Sequence, residues 1–317
     1  MTTSQLDDAT HDLLKQRVGA LHLRQRLGIE RDYEHRIFGQ GRTFFHVENW
    51  YSLRSIIRNS LRLVLLHGRA QRNARRIEVR HNHIRLTGLP DRFDNFTLLQ
   101  LSDLHIDMAE DFSHVLIEAV REVDYDLCVL TGDFRGDTYG PYEAALAGMR
   151  QLRSQLQGDV YAVLGNHDTI CMVPALEAMG IRMLLNEQVQ LQRDDQAIYL
   201  AGIDDPHYYR ADNIEKAGDA IPEGAASILL AHSPEIYRHA AHAGFDLMLC
   251  GHTHGGQICL PGGVPVMCNA GCPRDFCRGP WVYQDLQGYT SAGSGACVVD
   301  LRLNCPPEIT LHHLHCA

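Results

Sequence analysis

Residues 247–261 read LMLCGHTHGGQICLP. An apolar run stops at Gly251 and opens into His252 and His254, followed by two more glycines. In extended backbone, positions i and i+2 project to the same side, so the two imidazoles can converge on one point. The glycines beside them let backbone or a bound group approach closely. Two imidazoles aimed together from a strand end suggest a metal. A chance pair of loop histidines, in a chain that has 19 of them, is the plain alternative.

Four other runs end in the same kind of chemistry. FTLLQLSDLH (96–105) delivers Asp103 and His105, and YDLCVLTGD (125–133) delivers Asp133. DVYAVLGNHD (159–168) delivers Asn166, His167 and Asp168, and SILLAHSPE (227–235) delivers His232. Each run is short and almost continuously apolar, which is the pattern of a strand buried on both faces. Helical periodicities lie between them, in Phe112, Val115, Leu116, Ala119, Val120 and Val123 and again in Leu146, Met149, Leu152 and Leu156. Another helix starts at Ser233 and Pro234 and stops at Gly244. The alternation predicts an α/β fold with parallel strands, whose sites gather beyond the strands' carboxyl ends. Ahead of these runs, RIEVRHNHIRLTGLP (76–90) reads as a hairpin turned at His81 and Asn82. The tail LHHLHCA (311–317) reads as an edge strand with exposed histidines, His313 and His315 on one face.

Carboxylates mixed with several imidazoles suit Mn, Fe or Zn better than Mg, and the donors exceed what one ion needs. Two ions about 3.5–4 Å apart can hold a hydroxide between them and clamp a phosphoryl oxygen, the two-metal route to phosphate ester hydrolysis.

The blocks DLH, GD, GNHD, AHSP and GHTH, in that order from Asp103 to His254, closely resemble those of the calcineurin-like metallophosphoesterase superfamily. The resemblance implies a four-layer α-β-β-α sandwich over residues 76–317, behind an N-terminal helical arm over 1–75. It implies one metal held by Asp103, His105 and His254, a second held by Asn166, His232 and His252, and Asp133 bridging the two. Mn is the expected ion for both places, with Fe or Zn as alternatives. By the same resemblance His167 touches the phosphate and stabilises or protonates the leaving oxygen, a general-acid role, and Asp168 orients it. The family's Gly-Asp-x-x-Asp block is interrupted, since GDFRGD places Gly136 where the second acid would fall and Asp137 one residue later. The presence of His167 favours a metal-dependent phosphoric ester or pyrophosphate hydrolase over a metal-binding scaffold without catalysis.

GHTHGGQICLPGG and the tail GYTSAGSGACVVDLRLNCPPEITLHHL further resemble a bacterial, membrane-associated branch of phosphodiesterases and UDP-2,3-diacylglucosamine pyrophosphatases of lipid A synthesis. That implies a lipid-linked substrate cleaved to UMP and a lipid monophosphate, with a soluble general or nucleotide phosphodiesterase as the alternative. Arg135, Arg210, Arg274 and Arg278 are candidate phosphate contacts, because guanidinium forks match phosphate oxygens. Cys259, Cys268, Cys272 and Cys277 are a candidate zinc set, but they lack the close Cys-x-x-Cys pairs of structural sites.

Composition bounds the partners. With 45% hydrophobic and 21% charged residues the chain is ordinarily globular, and its formal charge of −10 argues against a nucleic-acid partner. No run approaches the ~18 apolar residues of a membrane span. Ten cysteines without a leader-like N-terminal run are expected as reduced thiols, in a cytoplasmic protein. Against this acidic background residues 49–76 hold Arg54, Arg58, Arg62, Arg69, Arg72, Arg75 and Arg76 and no acid. Trp50, Leu53, Ile57, Leu61, Val64 and Leu65 fall near a helical period there, with Asn49 as a cap. Such a helix suits the anionic inner face of a membrane, to which the protein would bind peripherally; the alternative is a helix that packs its apolar stripe on the main domain. Residues 4–29 also read as helical, through Leu13, Leu14, Val18, Leu21 and Leu27, with no chemistry to assign.

Overall fold

A computed structural model describes residues 7–38 and 51–317, with backbone alone at 35–38 and 51–54. The apolar runs become two six-stranded sheets. The first has the order β1 (Glu78–Leu86), β14 (Glu308–Cys316), β2 (Thr97–Leu101), β3 (Leu127–Leu130), β4 (Val160–Ala162), β5 (Ile181–Met183). The second has the order β12 (Gly279–Tyr283), β13 (Leu286–Thr290), β9 (Leu247–Cys250), β8 (Ser227–Leu230), β7 (Gln196–Gly202), β6 (Glu187–Arg193). A short pair, β10 (Cys259–Leu260) and β11 (Val264–Pro265), stands apart. β2 to β5 run parallel, and so do β7, β8, β9 and β13. The helices are α1 (Asp8–Val18), α2 (Ala20–Phe38), α3 (Tyr51–Leu63), α4 (His67–Asn73), α5 (Phe112–Arg121), α6 (Glu143–Arg153), α7 (Val173–Ala178), α8 (Ile214–Gly218) and α9 (Tyr237–His242).

The strands read as unbroken apolar runs because both faces are covered. Leu98, Val129 and Tyr161 of the first sheet meet Ile198, Leu200, Ile228 and Leu249 of the second. On the outer side Leu99, Leu101 and Leu130 lie under Leu116 and Val120 of α5 and Met149 and Leu152 of α6. Leu229 and Met248 lie under Ala217 of α8 and Tyr237 and Ala240 of α9. Each fully buried large side chain contributes roughly 1.5–3 kcal/mol. The result is the four-layer α-β-β-α sandwich.

The region 76–90 is not a hairpin. β1 is a single strand paired in parallel with β14, from Glu78 opposite Glu308 to Leu86 opposite Cys316. Neither His81 nor Asn82 adopts the positive φ that a two-residue hairpin turn demands. β14 is correspondingly not an edge strand, since it lies between β1 and β2 and leaves β1 as the edge. Its His312 is fully buried, donating from Nε2 to Gln100 Oε1 at 2.9 Å and accepting at Nδ1 from Asn82 at 3.0 Å. Burial, with His313 beside it, holds this imidazole down at about 3.

That depression has a sign. Above about pH 6.5 His312 is neutral folded and unfolded; below it the unfolded chain takes up a proton that the folded chain refuses until about pH 3. Stability is therefore expected to fall between pH 6.5 and 3, by a few kcal/mol through this one group. Thermal melts of a His312→Gln variant should show a shallower acid slope than the parent, and an unchanged slope would remove His312 as the cause.

The N-terminal helices are built into this body. Leu14 and Val18 of α1 and Leu23 of α2 sit in the same core as α5 and α6. In α3, Ile57 and Leu61 pack on Val299, Leu301 and Leu303, with Ala70 of α4. That half of the stripe packs on the main domain. Ile56, Leu63, Val64 and Leu65 remain 50%, 86%, 57% and 90% exposed, and Arg58, Arg62, Arg69 and Arg72 are exposed as well. Arg75 is instead tied to Asp111 and Asp300. Asn49 and Trp50, and the side chains of Leu53 and Arg54, lie outside the described residues.

Candidate metal centre

Both sheets deliver donors to one seam at their strands' carboxyl ends. The first sheet places Asp103 and His105 after β2, Asp133 after β3 and Asn166 after β4; the second places His232 after β8 and His252 and His254 after β9. All of these residues are buried. Asp103, His105, Asp133, His252 and His254 have φ of 51°, 39°, 57°, 70° and 50°. This left-handed region is sparsely used by residues other than glycine. Backbone strain here turns the chain sharply so that the side chain points inward, and the surrounding bonds hold it. Gly251 makes room for that turn, because a Cβ there would collide with the Ser102 hydroxyl and the Asp103 carboxylate.

Backbone carbonyls set the ring tautomers. His105 donates from Nδ1 to Arg135 O at 2.7 Å, His232 from Nδ1 to Thr131 O at 2.8 Å, and His252 from Nε2 to Asn269 O at 2.6 Å. Each carbonyl takes a ring N–H, so the other nitrogen of each ring is the one aimed at the cluster. His232 Nε2 lies 3.2 Å from Asp133 Oδ2 and 2.9 Å from Asn166 Oδ1; His105 Nε2 lies 3.7 Å from the same Asp133 oxygen. His254 Nε2 lies 3.3 Å from Asp103 Oδ1. The donor atoms fall into two groups, Asp103, His105, Asp133 and His254 and then Asp133, His232 and His252, each within 4.8 Å, with Asp133 in both. Two buried carboxylates, an amide oxygen and four imidazoles converging in this way are a donor set that fits divalent ions. Burial and the neighbouring His167 hold His105 down at about 4, which keeps it neutral and able to ligate. Burial opposes ionisation of Asp133, yet His232 and His167 hold its carboxyl well below the usual range.

His167 is 4% exposed and meets Thr138 Oγ1 at Nδ1, 3.3 Å, and Cys297 Sγ at Nε2, 3.6 Å. Asp168 braces the loop that carries this ring. Its two carboxylate oxygens accept the backbone N–H groups of Asp133, Phe134 and Gly165 at 2.8–2.9 Å, which fastens the loop after β4 to the loop after β3.

Of the four candidate arginines, three bond within the chain. Arg135 is buried and donates to the carbonyls of His167, Thr138 and Gly140, so its fork is spent on backbone. Arg210 is exposed, Arg274 donates to Pro265 O, and Arg278 reaches Cys305 Sγ at 3.6 Å. The candidate cysteine set divides as well: Cys268, Cys272 and Cys277 neighbour one another while Cys259 pairs with Cys305. None of the ten cysteines is in a disulfide.

Two contributions carried no motif. Arg26 of α2 is fully buried and donates to Asp168 O at 3.0 Å, within 3.3 Å of both Glu30 and Asp204 and 3.4 Å above the Tyr209 ring. Glu30 in turn accepts from Thr169 Oγ1 and Ile170 N. The helix that the sequence left without chemistry therefore grips the loop after β4 from behind. The only sequence signal was an Arg and a Glu at i and i+4 on a helix. Cys297 is the other. With His167, Asp133, Asn166, His252 and His254 it lines a cavity of about 390 Å³, whose walls are Ile56, Ile57 and Leu61 of α3, Ile258, Val266, Met267, Val298 and Val299. Iodoacetamide is expected to inactivate the enzyme by carrying bulk into this cavity, and a Cys297→Ser variant to resist it. Equal inactivation of both would assign the effect to another thiol.

A four-layer sandwich with these donors at its seam defines a metal-dependent phosphoester hydrolase. The chain belongs to the calcineurin-like phosphoesterase family, which matches residues 96–256. It is 29% identical over 257 residues to the uncharacterized metallophosphoesterase YkoQ of Bacillus subtilis (strain 168), covering 78% of this chain and 93% of that one. It is 27% identical over 258 residues to phosphodiesterase YaeI of Escherichia coli (strain K12), covering 74% and 87%. Among solved structures, calcineurin-like phosphoesterase YfkN from Bacillus subtilis aligns with a TM-score of 0.40 at 15% identity, over 63% of this chain and 82% of that one. Among the described residues no helix is long and apolar enough to cross a membrane.

Proposed function

We propose that the protein hydrolyses a phosphoester or pyrophosphate bond in a lipid-linked substrate such as UDP-2,3-diacylglucosamine, releasing UMP and a lipid monophosphate. The observation that carries this reading is the apolar wall of the cavity beside the donors, contributed by α3, Met267 and Val266. Val266 and Met267 are 65% and 56% exposed and continue the apolar rim outward, as Ile56 does on α3. An acyl chain can lie along that wall while the phosphate rests on the polar floor. The exposed apolar tip of α3, with Arg58 and Arg62 beside it, would seat on an anionic membrane surface.

Asp103, His105 and His254 would hold one ion and Asn166, His232 and His252 the other, with Asp133 shared. Divalent ions there, Mn foremost, would supply charge neutralisation at the phosphoryl oxygens and lower the pKa of the attacking water. The chain's own residues do the rest. His167 holds a proton at Nε2 for the leaving oxygen, Thr138 and Arg135 fix its ring and backbone, and the α3 wall excludes bulk water.

The test is turnover by Mn-loaded protein of UDP-2,3-diacylglucosamine against a generic aryl phosphodiester. UMP release from the lipid substrate at a clearly higher kcat/KM is expected. Turnover of the aryl diester alone would move the function to a general phosphodiesterase, and neither substrate turning over despite bound metal would leave a scaffold.

A further inference from the structure

The pairing of β1 with β14 brings together four histidines that the seam does not use. His81 and His83 of β1 are exposed, and His313 and His315 of β14 are half-buried beside them. The same contact occurs twice: His81 Nδ1 lies 3.0 Å from His313 Nε2, and His83 Nδ1 lies 3.0 Å from His315 Nε2. The rings of the two pairs are within 4° and 12° of parallel, and His83 also lies 4.8 Å, centroid to centroid, from His313.

The outer nitrogens of the β14 rings face oxygens. His313 Nδ1 meets Thr97 Oγ1 at 3.1 Å, and His315 Nδ1 lies 3.9 Å from Asp94 Oδ1. An N–H from His313 to Thr97 leaves its Nε2 lone pair aimed at β1, the arrangement by which outer partners fix metal-ligating histidines, and the Asp94 charge favours the same orientation of His315 at longer range. Two nitrogens each about 2.0–2.1 Å from one ion, at a right angle, are about 2.9 Å apart. The 3.0 Å spacing already present matches cis ligands of a square-planar ion, which among imidazole-binding metals means Cu2+ first and Ni2+ next. Because His81 and His83 sit on the exposed edge strand, their rings can tilt to share the ion in place of the proton each pair now shares.

We propose that the His81–His313 and His83–His315 pairs form an all-imidazole site for Cu2+, one ion per pair, separate from the metal centre. Thr97, opposite His313, begins β2, whereas Asp103 follows its end. At about 3.3 Å per residue the two places lie about 20 Å apart. An ion here joins the edge strand to its neighbour, so it should also raise the melting temperature, as any ligand of the folded state does.

The experiment uses full-length protein with the metal centre filled by Zn2+, which is silent in electron paramagnetic resonance. Cu2+ is added, the sample is desalted, and copper content and nitrogen hyperfine structure are read. Retained copper with nitrogen coordination in the parent is expected, with up to two equivalents lost in a His81→Gln/His83→Gln variant that keeps its phosphodiester turnover. The same loss is expected in His313→Gln/His315→Gln, and a variant that has lost turnover is set aside in favour of the other. Equal copper retention in parent and variant, or copper without imidazole coordination, would overturn the proposal.

Discussion

A His167→Ala variant is expected to keep its metal and its fold and to lose 10²- to 10⁴-fold in kcat, about 3–5 kcal/mol of barrier, as removal of a positioned general acid does. The ring lines the cavity with Nε2 toward Cys297 and Nδ1 on Thr138, and its backbone N–H donates to Asp133 Oδ1 at 2.8 Å, a bond that alanine retains. The donor loop therefore has no reason to move. The loss should depend on the leaving group. An alkyl or sugar-phosphate ester needs a proton on its departing oxygen, whereas a nitrophenolate leaves without one. Steady-state kinetics on both substrates, with metal content measured in parallel, separates the roles. An equal loss on both would make His167 a phosphate-binding group, and loss of metal would make it a ligand.

An Arg26→Met variant is expected to be destabilised by about 3–5 kcal/mol, because it leaves Asp204 and Glu30 charged and buried without their cation. Burial opposes ionisation of Asp204, yet Arg26 and His22 hold its carboxyl below the ordinary value. Methionine fills much of the volume and supplies none of the charge. Tm should fall by several degrees. At temperatures where the variant is still folded, kcat should fall more than KM rises, because the Asp168 carbonyl that Arg26 holds is next to His167. A variant with full kcat and lowered Tm would show that this helix stabilises the fold without positioning the loop.

What the sequence reveals and what it hides differ by range. The five strand ends could be read because a strand buried on both faces is a local pattern, and its donors follow within a few residues. The partner of β1 could not, because it lies some 230 residues away and His81-Asn82 is a passable turn when read alone. The role of Arg26 was hidden for a related reason: its i, i+4 pairing with Glu30 is local, but Asp204 and the Asp168 carbonyl reach it only in the folded chain. The arginines could not be assigned from sequence, because a guanidinium matches a backbone carbonyl as well as a phosphate oxygen. Arg135 shows the outcome, with its donors on three carbonyls.

The walls of the cavity come from α3, from Val266 and Met267 and from Val298 and Val299, none of which supplies a donor to the seam. On the proposed function, reactivity and selectivity are thus inherited through separate stretches of chain. Mutation can reshape what enters while the hydrolytic apparatus stays intact, so a lineage built on this scaffold can change its diet without passing through an inactive ancestor.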